Sequence, residues 1–403
     1  MLFQPEEMGG VSLEEVIEAY YDCRRRKRNT VNALEFEVEY ERNCIDLWID
    51  INNHNYKPRR SIAFVVEHPV KREIFAADFR DRVVHHLIAR RIWPLLKDQF
   101  LTDSYSTQPG KGTLFGIQHV EQHVRDCSEN YTRDCHVMKL DISGYFMSID
   151  KRRLYDCIRL FLELRYEQDG LPMLLYLLRE TIFNRPEKNC IRKVPRYRWK
   201  GLPQNKSLFG SDGRKGLPIG NLTSQLLALL YLDELDHLIT GIWKVPHFGR
   251  YVDDMVLVHS SPKRLLEVRE LIKKWLSARE LMLHPRKMYL QHYSKGVTFV
   301  GGVIKPGRKY ITRRTIGRLF AKVHYYNTVL ETAGAVGEKF IEDMCATMNS
   351  YLGMMKHYES KRLFHRTLRH VSPEWYRHAT FVSRGNSYKL SPRGSLMIGV
   401  EAL

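Results

Sequence analysis

The fold is decided by the stretch Arg250-Tyr251-Val252-Asp253-Asp254-Met255-Val256-Leu257-Val258, which places two adjacent carboxylates between two short apolar segments. This pattern predicts a β-hairpin that carries both acids at its tight turn. Because buried strands hold the two carboxylates rigidly together, either a cation binds them or one of them takes up a proton. Oxygen ligands of this kind suit Mg²⁺, which binds through one or two carboxylates together with substrate phosphates. Taken alone, the same dipeptide also fits a solvated turn.

A third acid ends an earlier apolar segment. Residues 137–142 are typical of a buried strand, and Asp141 lies near its C-terminal end. A carboxylate in such a strand is costly unless it has a partner or a metal. If the strand and the hairpin come together, Asp141, Asp253 and Asp254 form one acidic cluster. Two Mg²⁺ ions held about 3.5–4 Å apart can activate a 3′-hydroxyl and stabilise a leaving pyrophosphate, so the pattern predicts a nucleotidyltransferase.

The composition favours a nucleic-acid partner. The 403 residues include 64 Lys and Arg against 46 Asp and Glu, which gives a net charge of +18 and a pI near 9.5. Nucleic acid is the commonest polyanion that explains such a balance. The basic run at 24–28 fits either phosphate contact or a solvated face. A second basic segment, 185–216, is interpreted as an insertion or loop.

The lengths of the apolar runs and the spacing of the cysteines indicate the cellular compartment of the protein. The longest apolar run, residues 226–232, is far too short to span a bilayer, so we expect no membrane contact. The seven cysteines are scattered without a C-x-x-C pair, which favours a reduced cytoplasmic protein without disulfides or a zinc site. Cys127, Cys135 and His136 come nearest to a metal cluster, but their spacing is poor for zinc.

Hydrophobic periodicity predicts the main elements. Strands are expected at 62–66, 137–142 and 297–304, and helices at 83–92, 114–127, 150–164 and 265–276, with a further helix ending at Ile239. Residues 312–370 look all-helical. Their apolar stripe is interpreted as core and consists of Phe340, Met344, Met348, Tyr351, Leu352 and Met355. Beyond Pro373 the periodicity fades into a tail.

The order of these motifs resembles that of reverse transcriptases over residues 61–358. Two blocks resemble the Y-x-D-D catalytic box and the catalytic-aspartate box before it, namely Tyr251-Val252-Asp253-Asp254 and Asp141-Ile142-Ser143-Gly144-Tyr145-Phe146. Residues 217–225 occupy the place of the L-P-Q-G-x-x-x-S-P box, and 283–287 that of the motif whose Lys lies near the triphosphate. The primer-grip strand is matched by Phe299-Val300-Gly301-Gly302. The resemblance implies an RNA-directed DNA polymerase that uses an RNA template, a primer and dNTPs.

One departure resembles a particular subgroup. Reverse transcriptases usually carry Gln at the position of Ile219 and Pro at that of Gln225. Residues 219–225 instead resemble the I/V/L-G-x-x-x-S-Q box of diversity-generating retroelement reverse transcriptases, as do residues 202–209 and 350–357 in their own blocks. This implies mutagenic retrohoming, in which a template-repeat RNA is copied into cDNA mutated mainly at adenines for diversification of a target gene. It also implies a bacterial or phage-encoded enzyme, a structured RNA and a small basic pentameric accessory protein.

The resemblance assigns roles to individual residues. Asp141 and Asp253 would bind two Mg²⁺ ions directly, aided by the Ile142 carbonyl, with Asp254 nearby as the third catalytic acid. Phe146 falls at the steric-gate position, where its ring would exclude a ribose 2′-hydroxyl, unless it belongs to the core. The nucleotide-binding candidates are Ile219, Gly220, Gln225, Lys287, Arg72 and Arg80, with Lys71 and Arg82 as further candidates for the triphosphate. The primer-grip candidates are Phe299 and Gly301.

Ile219 has a physical reason to affect fidelity. A Gln at this position could hydrogen-bond near the nucleotide, whereas the Ile side chain can neither donate nor accept. Losing such a contact reduces discrimination by about 1–3 kcal/mol, roughly ten- to hundredfold. Ile219 merely packs in the alternative reading. Nothing in the sequence explains why adenine is singled out.

The implied fold is α+β, a right-hand polymerase with fingers, an antiparallel-sheet palm and a helical thumb. The expected divisions are an N-terminal helical extension at 1–60, fingers at 61–133, a palm at 134–306 with a basic insertion near 170–216, a thumb at 307–378 and a tail at 379–403. Two other functions stay open. One is a bacterial reverse transcriptase of the defence type, including one that extends DNA without a template. The other is a non-catalytic RNA-binding scaffold.

Overall fold

The predicted α+β fold class is confirmed by a computed structural model, which describes residues 10–25, 30–67, 70–384 and 387–393. Arg26, Lys27 and Arg28 of the basic run lie outside the described residues, as do residues 394–403 of the predicted tail. The chain forms two units, one of Met1–Gly112 with Met138–Tyr289 and one of Thr113–Val137 with Leu290–Leu403. The divisions assigned to fingers, palm and thumb stay predictions.

Helices and strands alternate along the chain. The helices are α1 (Leu13–Arg24), α2 (Val31–Val38), α3 (Tyr40–Asn52), α4 (Phe79–Gln99), α5 (Thr113–Cys127), α6 (Tyr145–Ser148), α7 (Lys151–Arg165), α8 (Leu171–Ile182), α9 (Leu222–Tyr231), α10 (Asp233–His237), α11 (Pro262–Ser277), α12 (Arg313–Thr332), α13 (Glu338–Met355), α14 (Lys361–His370) and α15 (Trp375–His378). The strands are β1 (Ser61–Val66), β2 (Arg72–Ala76), β3 (His136–Asp141), β4 (Cys190–Arg192), β5 (Phe248–Tyr251), β6 (Asp254–His259), β7 (Tyr289–His292), β8 (Val297–Phe299), β9 (Gly302–Lys305), β10 (Arg308–Ile311), β11 (Ala379–Arg384) and β12 (Ser387–Pro392).

Side-chain caps explain where several helices begin. The Asp150 carboxylate accepts from the backbone N–H groups of Arg152 and Arg153, each at 3.0 Å, and α7 follows it as predicted. Such a cap satisfies N–H groups that lack a partner within the helix. The Asp78 carboxylate accepts from the Arg80 N–H at 3.0 Å in the same way. Helix α4 therefore begins four residues before the predicted 83–92 segment and is longer than expected.

The acids lie on the strands and the β5–β6 turn of a four-stranded sheet with the order β5-β6-β3-β7. Strands β5 and β6 are antiparallel, with Tyr251 opposite Asp254, which confirms the predicted hairpin. The four residues after Asp254 are fully buried, and α11 packs against β6. The predicted helix to Ile239 is instead interrupted, since α9 ends at Tyr231 and is followed by α10 and a π-helical turn at Leu238–Ile242.

A smaller sheet in the first unit has the order β2-β1-β4. Strands β1 and β2 pair antiparallel, whereas β1 and β4 pair parallel. Strand β4 belongs to the basic segment 185–216, which otherwise consists of loops and short 3₁₀ turns at Arg196–Trp199, Gln204–Lys206 and Leu208–Gly210. The predicted insertion is thus partly built into this sheet.

The second unit contains the three-stranded sheet β10-β9-β8 and helices α12 to α15. The apolar stripe of α13 is core, as predicted, because Met344, Met348 and Met355 are all less than 5% exposed. No described helix has both the length and the apolar character that crossing a membrane requires. None of the seven cysteines, all of which lie in the described residues, forms a disulfide.

The start of the predicted tail is a β-hairpin of β11 and β12. Leu390 is fully buried in the core of the second unit. The Asn349 side chain on α13 accepts from the Leu390 N–H at 2.7 Å and donates to its carbonyl at 2.8 Å. The weak periodicity of this segment misled the sequence prediction because a helix side chain, in addition to apolar burial, fixes the strand.

Candidate active site

The hairpin turn that carries the acids is strained. Val252 and Asp253 connect β5 to β6, and Val252 has a φ of 59°. A positive φ at the first of two connecting residues is typical of a type II′ turn, where glycine is preferred. A β-branched residue in this conformation is a genuine outlier, and such strain persists only where the surroundings hold it.

Two neighbours hold the turn. The Val252 N–H donates to Ser106 Oγ at 3.2 Å, and the Val252 carbonyl accepts from the Arg250 guanidinium at 2.9 Å. Arg250 in turn donates from Nε to Asp236 Oδ1 at 2.7 Å. Arg250 and Asp236 are both 0% exposed. The position of Asp253 therefore depends on a buried ion pair that reaches it through the backbone of Val252.

Asp141 lies at the end of β3 and is only 4% exposed. Lys287 Nζ donates to its Oδ2 at 2.9 Å and to its Oδ1 at 3.1 Å. The Asp141 carbonyl accepts from the His284 N–H at 2.6 Å, which fixes the loop that carries Lys287. Ile142 follows and forms a β-bridge with Leu283. The structure thus brings the predicted Lys287 directly to the predicted Asp141.

The pKa of Asp253 is affected by both other acids. Partial burial raises the pKa of its carboxyl to about 7, and repulsion from Asp141 and then from Asp254 adds to the rise. The Asp254 carboxylate is paired with Lys139 Nζ at 3.1 Å. The three acids predicted to converge therefore lie within one electrostatic neighbourhood, with two lysines bound to two of them.

Within the part of the chain that the structure describes, no three His, Cys, Asp or Glu side chains are grouped as a ready metal site. The donor chemistry still fits a hard divalent cation, since carboxylate oxygens suit such ions. A cation between Asp141 and Asp253 would relieve the repulsion that raises the pKa of Asp253.

The predicted nucleotide-binding segments are joined through their backbones. The Leu217 N–H donates to the Phe146 carbonyl at 2.8 Å, and the Phe75 N–H donates to the Ile219 carbonyl at 3.0 Å. Phe146 and Ile219 are both partly exposed. The φ of Gly220 is 122°, and a Cβ there would lie 2.9 Å from Ile74 Cγ2, so this turn requires glycine. Gln225 is exposed on the first turns of α9.

Two predicted phosphate-binding arginines differ sharply in their surroundings. Arg72 is exposed on β2. Arg80 is 4% exposed and is bonded to Asp50 at 2.5 Å, with its guanidinium 5.1 Å from the Tyr56 ring centroid. We correct the assignment of Arg80, because its donors face protein groups rather than solvent.

The other two triphosphate candidates already donate hydrogen bonds to backbone carbonyl groups. Arg82 Nε donates to the Ala77 carbonyl at 2.9 Å, and Lys71 Nζ donates to the Lys200 carbonyl at 2.9 Å. Among the four basic candidates of this region, Arg72 thus retains the clearest access to a phosphate.

The primer-grip candidates belong to the second unit. Phe299 is fully buried at the end of β8 and is opposite Gly302 of β9. The intervening Val300 and Gly301 have φ values of 36° and 96°, which is typical of a type I′ hairpin turn. A Cβ at Gly302 would lie 2.7 Å from Ile117 Cδ1 on α5. The hairpin is therefore packed closely against that helix.

Sequence reasoning missed four residues of this site. Ser106, Lys139 and Asp236 were given no role, and Arg250 was quoted only as part of the decisive stretch. Lys139 lies between the buried Met138 and Leu140 of β3, so its charge within an apolar strand was a signal in the sequence. Asp236 has no comparable signal, because its partner is known only once α10 and β5 are in place.

Comparison with known proteins agrees with this arrangement. The sequence profile described as reverse transcriptase (RNA-dependent DNA polymerase) matches residues 71–304, more than half of the chain. The chain belongs to the reverse transcriptase family. The matched residues include all three acids, Lys287, and both predicted nucleotide-binding segments, so these motifs lie within the part of the chain that defines the family.

Solved telomerase structures are similar to this reverse transcriptase chain. Telomerase from Candida albicans in complex with a TWJ fragment of telomeric RNA has 12% identity and a TM-score of 0.46, covering 80% of this chain and 56% of that chain. Apo telomerase from Candida tropicalis has 13% identity and a TM-score of 0.48, covering 79% and 59%. The chain thus spans less than two thirds of these telomerases. No curated protein matches it significantly in sequence.

Proposed function

We propose that this chain is an RNA-directed DNA polymerase that extends a primer with dNTPs on an RNA template. The observation that carries the proposal is the convergence of Asp141, at the end of β3, and Asp253, in the β5–β6 turn of the same sheet. Asp141, Asp253 and the Ile142 carbonyl would hold two Mg²⁺ ions, with Asp254 nearby. When bound, such ions orient the reacting oxygens and neutralise charge on the phosphates.

Lys287 fits the role of a phosphate partner. Its side chain is 55% exposed although its ammonium is bound to the buried Asp141. A triphosphate offers several anionic oxygens to a long and flexible ammonium side chain. Transfer of Lys287 from Asp141 to the incoming nucleotide would free the carboxylate at the moment the substrate arrives. Arg72, Gly220 and Gln225 remain further candidates for nucleotide contact.

We further propose that the enzyme serves a diversity-generating retroelement. Support comes from Ile219, whose backbone is fixed by Phe75 while its partly exposed side chain offers no hydrogen bond near the nucleotide. The proposed template is a structured template-repeat RNA, and the product is adenine-mutagenised cDNA for diversification of a target gene. A small basic pentameric accessory protein would be a partner. We place this work in the cytoplasm of a bacterium, with the gene carried by the bacterium or by a phage.

Primer extension on a defined RNA template with Mg²⁺ and four dNTPs tests both levels of the proposal. Template-complementary cDNA with errors concentrated opposite adenine supports the retroelement function. Accurate cDNA supports the polymerase alone, and untemplated DNA supports an enzyme of the defence type.

The control variant Asp253→Asn should abolish extension while RNA binding is retained. If the wild-type chain, supplied with the accessory protein and cognate RNA, binds RNA but makes no product, the chain is a non-catalytic scaffold and the polymerase proposal fails.

A further inference from the structure

A cavity of about 360 Å³ lies in the basic segment 185–216 of the first unit. It is lined by residues that include Arg192, Arg196, Trp199, Gln204 and Phe209. Small-molecule pockets typically measure about 300–1,000 Å³ and combine apolar walls with a few polar groups. The cavity has this character, and no role has been assigned to it above.

Aromatic and cationic groups form its walls. The rings of Trp199 and Phe209 are 5.8 Å apart and inclined at 77°, and both are partly buried. The guanidinium of Arg192 lies 4.3 Å from the centroid of the Phe209 ring. Gln204 and Arg196 are exposed at the cavity. Aromatic rings and guanidinium planes provide stacking surfaces for nucleobases, and an amide can hydrogen-bond a base edge.

The cavity is built on a fixed support. Glu73 of β2 is 0% exposed, and its carboxylate accepts from Trp199 Nε1 and Ser207 Oγ, both at 2.7 Å. It also accepts from the Leu208 N–H at 2.7 Å. Three donors from the basic segment thus converge on one buried acid, and hydrogen bonds to a charged group are stronger than neutral ones. The aromatic wall is consequently preorganised.

The charge around the cavity favours a polyanion. Segment 185–216 contains ten Lys or Arg and only two Asp or Glu, a large share of the net charge of +18. Basic grooves of this kind follow the phosphates of a strand while aromatic side chains stack its bases. A free nucleotide would use little of this extended charge, whereas a strand contacts many cations at once.

The cavity also borders the segment before Phe146. A Cβ on Gly144 would lie 3.0 Å from the carbonyl oxygen of Asn205, the residue after Gln204. Strand β2 carries both Glu73, which fixes the cavity, and Phe75, which bonds the Ile219 carbonyl. A nucleic-acid strand bound in the cavity therefore lies next to the segments to which we assign nucleotide binding.

We propose that this cavity binds an unpaired nucleobase of a single-stranded nucleic acid, with the adjoining phosphates on the surrounding lysines and arginines. The base stacks on the Arg192 guanidinium, which itself packs over the Phe209 ring, and Gln204 contacts the edge of the base. The cavity is a binding site separate from the acids, so the proposal does not rest on polymerase activity. Its test is accordingly made without dNTPs.

The experiment measures binding of fluorescein-labelled oligonucleotides to the full chain by fluorescence anisotropy. The probes are a single-stranded RNA, the same sequence as single-stranded DNA, and a strand of equal length that lacks all bases. The variants are Arg192→Gln and Gln204→Ala. The control is Arg152→Gln on α7, which removes the same charge from a side chain that is 79% exposed.

We expect the wild-type chain to bind the single strand about fivefold to a hundredfold more tightly than the strand without bases. Arg192→Gln and Gln204→Ala should reduce this ratio, while Arg152→Gln should weaken both probes equally. Unchanged thermal melting of each variant excludes unfolding as the cause. Tighter binding of either RNA or DNA is compatible with the proposed site and identifies which nucleic acid the cavity binds.

Two results overturn the proposal. One is equal affinity of the wild-type chain for strands with and without bases, which would show phosphate contacts alone. The other is a preserved ratio in both Arg192→Gln and Gln204→Ala.

Discussion

Replacing Asp236 by Ala would remove the partner of a guanidinium that has no access to water. Arg250 and Asp236 are each 0% exposed, and the guanidinium makes several of its hydrogen bonds to this one carboxylate. Breaking a buried ion pair costs about 3–5 kcal/mol, because one charge stays buried without compensation. A domain is stable by only about 5–15 kcal/mol, so Asp236→Ala should lose a large share of its free energy of unfolding.

The effect on the active site can be separated from the effect on stability. The double variant Arg250→Met with Asp236→Leu leaves no buried charge, and such replacements are often neutral or stabilising. However, the Val252 carbonyl then loses its donor at 2.9 Å. The positive φ of Val252 costs about 1–2 kcal/mol. Without the hydrogen bond to its carbonyl, Val252 is held less firmly in this conformation. We expect a stable protein whose primer extension is reduced at least tenfold.

Chemical denaturation and single-turnover primer extension measure the two effects. The control is Glu267→Ala, which breaks a pair with Arg264 whose side chains are 33% and 49% exposed. Surface pairs contribute about 0–1 kcal/mol, so this variant should be close to wild type in both assays. A cost below 1 kcal/mol for Asp236→Ala would refute the energetic reasoning. Full activity of the stable double variant would refute the role assigned to Arg250 in holding the turn.

Three further predictions concern the nucleotide site and the core. Phe146→Ala should admit ribonucleotides, because its partly exposed ring is the proposed barrier to a 2′-hydroxyl; unchanged dNTP over rNTP selectivity in primer extension would contradict the steric-gate assignment. Ile219→Gln should lower misincorporation about ten- to hundredfold by restoring a hydrogen bond near the nucleotide, and cDNA sequencing with an equal error rate would show that Ile219 only packs. Burial lowers the pKa of His85 to about 3, so its contribution to stability is complete above its ordinary value of 6.5 and is lost as the pH falls towards 3. His85→Asn should therefore lose less stability than wild type between pH 6.5 and pH 5 in denaturant titrations, and parallel losses would exclude His85 as a source of acid sensitivity.

Local sequence patterns were sufficient to predict the parts of the site that are formed by residues close together in the sequence. The hairpin of β5 and β6 and the strand ending at Asp141 follow from short apolar runs interrupted by acids. Helix α7 follows from the Asp150 cap and its apolar face. These elements need little information beyond their own periodicity and turn residues.

The misassignments concern side chains whose partners lie far away in the sequence. Arg80 looked like a phosphate ligand because its charge is visible in the sequence, whereas Asp50 and Tyr56 become its neighbours only after folding. Leu390 looked like part of a tail because the bonds from Asn349 cannot be foreseen from the local pattern. A charged residue in a sequence thus indicates a site only when its partners are known.

The strained turn at Val252 and the two lysine–aspartate pairs together explain how the acids are positioned in the absence of a ligand. Val252 holds Asp253 in a turn that an unrestrained chain would avoid, and a buried ion pair maintains it. Lys287 and Lys139 meanwhile neutralise Asp141 and Asp254. The acids are therefore already positioned before a cation or substrate arrives, although the two ammonium groups offset only part of the repulsion that raises the pKa of Asp253. In the proposed function, a divalent cation would bind Asp141 once the exposed Lys287 had released it, and the buried strands would stay in place.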